Sequence, residues 1–153
     1  MTLLLIRHAT ADTPGLPGGD FARSLVEKGK EQSLRVGRFL KTHDLIPEVV
    51  LTSPVFRAKE TASLLQKEGC PEPITEPWLA CGMRPEVALH ELAAFKKFKT
   101  VAIVGHEPDF SSLVEHILGA DTYSIRVKKA SIISIELDHQ PSLNFSIPCR
   151  LIK

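Results

Sequence analysis

The sequence predicts one α/β domain, residues 1–153, folded as a three-layer α/β/α sandwich around a mostly parallel sheet. The first observation is the length of 153 residues, which suits a single domain. The second is the composition, since 43% hydrophobic and 24% charged residues are globular proportions and exclude disordered or fibrous chains. The third is the order of patterns: short apolar runs alternate with longer segments of helical periodicity, which is typical of a sheet covered by helices.

The first half of the chain supplies two strand–helix pairs. Residues 3–6 are a continuous apolar run, which favours a strand buried on both faces. The apolar spacing of residues 27–42 predicts a helix, and residues 49–52 form the second buried strand. A second helix is predicted over residues 54–68, with Ser53 as its N-cap residue and a glycine after its end.

The second half adds two helices and a third buried strand, and then changes character. Helices are predicted over residues 85–95 and 108–118, with the third buried strand at residues 101–104 between them. Apolar and polar residues alternate over residues 133–137, and another strand-like segment follows at residues 143–147. These two segments predict a strand pair near an edge of the sheet.

Charge and hydropathy exclude several classes of function. Nineteen basic residues against 18 acidic residues leave a formal net charge of +1, which argues against a nucleic-acid-binding protein. No apolar run approaches the roughly 20 residues of a membrane span. The run at residues 3–6 is too short for a signal peptide and lacks a basic flank. We therefore expect a cytoplasmic protein without membrane or nucleic-acid partners.

The sequence lacks the motifs that bind metals and cofactors. Cys70, Cys81 and Cys149 are an odd number of cysteines without a CxxC pair, so neither a disulfide framework nor a zinc site is indicated. The glycine-rich nucleotide-binding patterns and the HExxH pattern do not occur. We predict no metal and no cofactor.

Basic and imidazole side chains follow the three buried strands at the point where each strand ends. Arg7 and His8 follow the first strand, the helix after the second strand carries Arg57, and His106 follows the third. Ligands bind beyond the carboxyl ends of strands in open α/β sheets. Arg57 can reach this edge because helical side chains lean toward the helix N-terminus. We therefore expect these four side chains to lie together.

Two arginines and two histidines at one sheet edge are suited to phosphoryl transfer. Guanidinium groups hold a phosphoryl group through paired hydrogen bonds. A neutral imidazole is a nucleophile toward phosphorus, and neighbouring arginines lower a histidine pKa and keep the ring neutral. Helix N-termini at the same edge would add donors for the oxygens.

Three segments in order resemble the signatures of the histidine phosphatase superfamily, whose fold is called phosphoglycerate mutase-like. They are the Arg-His segment at residues 5–11, the Ser-Pro segment at residues 51–62 and the Gly-His segment at residues 104–108. Residues 23–29 also match the stretch that opens the first helix, although Val26 stands where Thr is usual. The short chain and Ala9 resemble most closely the SixA-type phosphohistidine phosphatases.

The resemblance implies that His8 is the nucleophile and becomes phosphorylated, while Arg7, Arg57 and His106 bind the phosphoryl group. It also implies a phosphohistidine substrate on a signalling protein, such as a histidine phosphotransfer domain. Two alternatives remain open: a small-molecule phosphomonoesterase or mutase of the same superfamily, and a phosphoprotein-binding module without turnover.

The proton donor is left open by the sequence. Glu107, Glu76 and Asp12 are the candidate carboxylates, and the fourth possibility is that no residue fills this role. A missing acid would favour phosphohistidine as the substrate, because a leaving nitrogen needs less proton assistance than an alkoxide.

Overall fold

The computed structural model describes residues 1–15 and 17–153, and its centre is a six-stranded sheet. The strands are β1 (Thr2–Arg7), β2 (Val49–Thr52), β3 (Ile74–Thr75), β4 (Thr100–Gly105), β5 (Ile132–Glu136) and β6 (Ser142–Ile147). Their order across the sheet is β3-β2-β4-β1-β5-β6. The pairs β3-β2, β2-β4 and β4-β1 are parallel, whereas β5 and β6 are added antiparallel at one edge.

The central strands are apolar throughout because both faces of the sheet are covered. Leu3, Leu4, Leu5 and Ile6 are all fully buried. Successive side chains of a strand point to opposite faces, so Leu4 and Ile6 join one apolar core and Leu3 and Leu5 join the other. A continuous apolar run therefore contributes side chains to the apolar cores on both faces of the sheet.

Two helices cover each face of the sheet. Helices α1 (Glu27–Thr42) and α2 (Phe56–Lys67) pack on the face of Leu4, and α3 (Pro85–Leu92) and α4 (Asp109–Leu118) pack on the face of Leu3. The predicted three-layer arrangement with a mostly parallel sheet and an antiparallel edge pair is confirmed. No helix in the described part of the chain is both long and apolar enough to cross a membrane.

Three predicted helices differ from the structure in their boundaries, and one predicted cap is wrong. Helix α2 begins at Phe56 with Val55 as its N-cap residue, because the Ser53 hydroxyl accepts a hydrogen bond from the Val55 N–H group (3.2 Å) before the helix starts. Helix α3 ends at Leu92, and a 3₁₀ turn occupies Ala93–Phe95. The α4 boundary differs by one residue, since α4 begins after Pro108.

Candidate active site

The register of two neighbouring strands brings the two histidines together. Strands β1 and β4 are parallel neighbours in which Arg7 pairs with Gly105, so His8 and His106 follow at the same edge. The His8 N–H group donates to the Gly105 carbonyl (3.0 Å), and the two imidazole ring centroids are 5.3 Å apart. Both side chains are almost fully buried, at 5% and 2% exposure.

Arg57 reaches His8 from the first turn of α2. Its Nε–H group donates to His8 Nε2 (3.2 Å), and the residue is 4% exposed. Arg7 lies at the end of β1 and is half-buried, with its Nη1 group donating to the Val127 carbonyl (2.8 Å). The structure thus places Arg57 against the two histidines and Arg7 beside them.

The hydrogen bonds of His8 define which ring nitrogen has a free electron pair. His8 Nδ1 is 2.8 Å from the Ala9 carbonyl oxygen, which only accepts hydrogen bonds, so Nδ1 carries the proton. His8 Nε2 therefore holds the lone pair, and it accepts the hydrogen bond from Arg57. The nucleophilic nitrogen of a neutral His8 is Nε2, and it faces the guanidinium group.

The hydrogen bond of His106 allows its other ring nitrogen to act as a donor. Its Nε2 is 2.7 Å from the Ser53 hydroxyl oxygen, and this hydroxyl also accepts from the Val55 N–H group. When the hydroxyl donates to Nε2, the ring proton resides on His106 Nδ1. This Nδ1 atom is buried and has no hydrogen-bond partner, as is also true of Arg7 Nε.

Unpartnered buried donors of this kind indicate a ligand site. Among the described residues, three buried side-chain nitrogen or oxygen atoms lack a partner, and two of them are His106 Nδ1 and Arg7 Nε. Buried polar atoms are nearly always hydrogen-bonded. An anion would satisfy the Arg7 Nε–H group, and it would also satisfy His106 Nδ1 when that atom carries the ring proton.

Burial and positive charge keep both histidines neutral. Burial lowers the pKa of His8 to about 3, and the positive charges of Arg57 and Arg7 act in the same direction. Burial and the charge of Arg57 lower the pKa of His106 to about 4. At neutral pH, His8 can therefore act as a nucleophile without first losing a proton.

Helices α1 and α2 hold the loop that carries His8. The Thr61 hydroxyl of α2 accepts a hydrogen bond from the Ala9 N–H group (3.1 Å) and donates to the Arg57 carbonyl (2.8 Å). Gly29 of α1 lies so close to the backbone of Thr10 that a Cβ atom at residue 29 would overlap the Thr10 carbonyl oxygen. The loop is therefore fixed by a hydroxyl on one side and a close backbone contact on the other.

The three predicted proton-donor candidates are engaged elsewhere. Glu107 accepts the Ser111 N–H group of α4 (2.7 Å) and acts electrostatically on Arg7. Glu76 accepts the Trp78 indole N–H (2.9 Å), and Asp12 accepts the Ser24 hydroxyl (3.0 Å). In residues 1–15 and 17–153, none of these carboxylates hydrogen-bonds His8, His106 or Arg57.

Asp20 is the carboxylate that hydrogen-bonds Arg57, and no sequence pattern predicts this contact. Its carbonyl oxygen accepts from Arg57 Nη1 (3.0 Å), and its carboxylate accepts from Arg57 Nη2 (3.3 Å) and from Arg23 Nε (2.9 Å). Burial raises the pKa of Asp20, but the charges of Arg57 and Arg23 outweigh burial and lower it overall. The sequence does not indicate Asp20 as a site residue because it follows a Pro- and Gly-rich loop, where a carboxylate is ordinarily solvated.

The arrangement contains the kinds of group that phosphoryl transfer to a histidine would need. The lone pair of His8 Nε2 accepts a hydrogen bond from Arg57, and guanidinium groups can stabilise the oxygens of a transferring phosphoryl group. No cluster of three or more His, Cys, Asp or Glu side chains in the described residues could hold a metal ion.

The chain belongs to the histidine phosphatase superfamily, branch 1, whose family model matches residues 3–80. An uncharacterised protein from Picosynechococcus sp. is 30% identical over 142 residues, which cover 88% of this chain and 84% of that protein. A 2,3-bisphosphoglycerate-dependent phosphoglycerate mutase from Mycobacterium leprae is 33% identical over 113 residues, covering 69% of this chain and 43% of the mutase.

The fold is also that of solved phosphatase structures. The structure of the protein histidine phosphatase SixA complexed with tungstate superposes with a TM-score of 0.90 and covers 100% of both chains, at 21% sequence identity. This chain is therefore an enzyme of the histidine phosphatase superfamily with a SixA-like, phosphoglycerate mutase-like fold.

Proposed function

We propose that this enzyme hydrolyses phosphohistidine on a signalling or phosphotransfer protein through a phospho-His8 intermediate. The observation that carries the proposal is the protonation state of His8. Nδ1–H is held by the Ala9 carbonyl, and the Nε2 lone pair faces Arg57. His8, Arg7, Arg57 and His106 would form the catalytic set, with the last three binding the phosphoryl oxygens.

The first step transfers the phosphoryl group between two nitrogens. His8 Nε2 attacks phosphorus, the new Nε2–P bond forms and the P–N bond of the substrate breaks. A substrate imidazole that is protonated on its other nitrogen leaves as a neutral ring and needs no proton from the enzyme. This accords with a site in which no described carboxylate hydrogen-bonds His8 or His106.

The second step returns His8 to its starting state. Water attacks the phosphorus, the Nε2–P bond breaks, and inorganic phosphate leaves with the proton that water releases. His8 keeps its Nδ1 proton on the Ala9 carbonyl throughout, so it departs from phosphorus as a neutral imidazole. Arg57 would stabilise the phosphoryl oxygens in both steps, as would His106 with its ring proton on Nδ1.

The competing function is hydrolysis or transfer of a phosphate ester on a small molecule. The similarity to the mycobacterial phosphoglycerate mutase favours this alternative. An ester, however, leaves as an alkoxide and needs a general acid, and Glu107, Glu76 and Asp12 are engaged in other hydrogen bonds. A binding module without turnover would have no use for a nucleophilic nitrogen on His8.

A comparison of substrates tests the proposal. We would measure kcat/KM for a phosphohistidine-bearing phosphotransfer domain, for p-nitrophenyl phosphate and for an alkyl phosphate. The alkyl ester should be the poorest substrate by at least about 100-fold, the range that general-acid assistance supplies. Comparable kcat/KM values for the alkyl ester and the phosphohistidine protein would reject the proposed substrate. Tungstate, the oxyanion bound in the SixA structure, should inhibit competitively.

A further inference from the structure

A basic pocket adjoins the phosphoryl site and shares Arg7 with it. The pocket has a volume of about 400 Å³, and five of its lining residues are cationic. They come from four separate segments of the chain: Arg7, Lys28, Lys128, Lys129 and Arg150. We call this set the basic pocket.

No acidic side chain among the described residues lines the basic pocket, although Glu107 acts electrostatically on Arg7 from outside it. In the described part of the chain, none of its five cations makes a salt bridge. Burial lowers the pKa of Lys129, and the charges of Arg7, Arg23 and Arg57 lower it further. Five cations in a pocket that no acidic side chain lines, in a chain with a net charge of only +1, produce a positive local field that favours an anionic ligand.

We propose that the basic pocket docks acidic side chains that flank the phosphohistidine on the partner protein. This inference rests on the proposed function, since it assigns the surroundings of the same substrate. The shared Arg7 means that a group in the pocket lies next to a phosphoryl group on His8 or on the substrate.

The kind of cation in the pocket favours a protein partner over a small anion. A fixed small anion is held best by buried guanidinium forks, as at Arg57. Lys28, Lys128 and Lys129 are exposed, and an exposed lysine is a mobile point charge. Such charges steer an oppositely charged surface into contact more than they fix one group.

Charge reversal on one side of the pocket tests the inference. The variants are Lys128→Glu, Arg150→Glu and the pair combined, all at exposed residues that the site chemistry does not use. The matched control is Lys99→Glu, because Lys99 is exposed and precedes β4, about 20 Å along the strand from its carboxyl end. Urea denaturation of each variant would verify that it is folded.

The measurement is kcat/KM for the phosphohistidine protein divided by kcat/KM for p-nitrophenyl phosphate. We expect the double variant to lower this ratio at least about tenfold at low ionic strength, through a higher KM for the protein. The effect should shrink at about 1 M salt, where the screening length falls to about 3 Å. Lys99→Glu should leave the ratio unchanged.

Three results would overturn the inference, and each differs from a failure of the proposed function. The first is a ratio that stays constant in the double variant. The second is a Lys99→Glu control that lowers the ratio as much as the double variant does. The third is a double variant in which kcat/KM falls more for a bisphosphorylated small molecule than for the phosphohistidine protein. The proposed substrate itself fails if the wild-type enzyme hydrolyses p-nitrophenyl phosphate but not the phosphohistidine protein, or if it hydrolyses an alkyl phosphate as well as that protein, and the docking role would then fall with it.

Discussion

The neutral state of His8 makes the stability of the fold depend on pH in a way that can be calculated. An unfolded chain binds a proton on His8 at its ordinary pKa of about 6.5, whereas the folded protein holds that pKa at about 3. A buried neutral histidine therefore stabilises the fold fully above pH 6.5, and this contribution is lost as the pH falls toward 3. At pH 4.5, two units below 6.5, the loss is about 2.7 kcal/mol at 1.36 kcal/mol per unit.

Urea denaturation at pH 7.0 and at pH 4.5 measures this loss when the wild type is compared with His8→Gln. Both proteins share His106 and the carboxylates, so their contributions cancel in the difference between the two pH effects. Between pH 7.0 and pH 4.5, the decrease in the free energy of unfolding should be about 2–3 kcal/mol smaller in His8→Gln than in the wild type. An equal fall in both proteins would refute the assignment of His8 as a buried neutral imidazole.

Three substitutions test the groups around His8. Arg57→Lys removes the planar fork that faces His8 Nε2, and we expect kcat/KM for p-nitrophenyl phosphate to fall by about 10²–10³; a loss under about threefold would contradict a phosphoryl-binding role. Thr61→Val leaves the buried Ala9 N–H group without an acceptor and should lower the free energy of unfolding by about 1–3 kcal/mol in urea, whereas Thr61→Ser should keep most of it. Gly29→Ala forces a Cβ atom into the Thr10 carbonyl and should cost about 1–3 kcal/mol or more in the same assay. Wild-type stability of the Ala variant would show that the loop is not packed tightly against α1.

The fold was predictable because its strands are buried on both faces. Apolar runs such as residues 3–6 predict central strands. Parallel strands place their carboxyl ends at one edge of the sheet, whatever the order of the strands in it. The proximity of His8, Arg57 and His106 follows from that rule alone. The same rule does not predict which strands are neighbours. Strand β4 lies between β2 and β1, and it pairs with residues that are distant from it in the sequence.

The details of the site depended on contacts that no local pattern encodes. Ser53 has the sequence signature of an N-cap residue, yet its hydroxyl orients His106 because β2 and β4 end side by side. Asp20 contacts Arg57 across 37 positions of sequence, from a loop whose composition indicates only a turn. Neither contact could be predicted before the register of the sheet was known.

The measurement that tests the central claim most directly is the identification of the phosphorylated residue during turnover. The enzyme is incubated with a phosphotransfer domain that carries ³²P-phosphohistidine, quenched in base within the first turnover and digested for mass spectrometry. We expect acid-labile, base-stable phosphate on the peptide that contains His8, and no label in His8→Ala. A wild-type enzyme that turns over with label on another residue, or a His8→Ala variant that hydrolyses p-nitrophenyl phosphate at the wild-type rate, would contradict the assignment of His8 as the nucleophile.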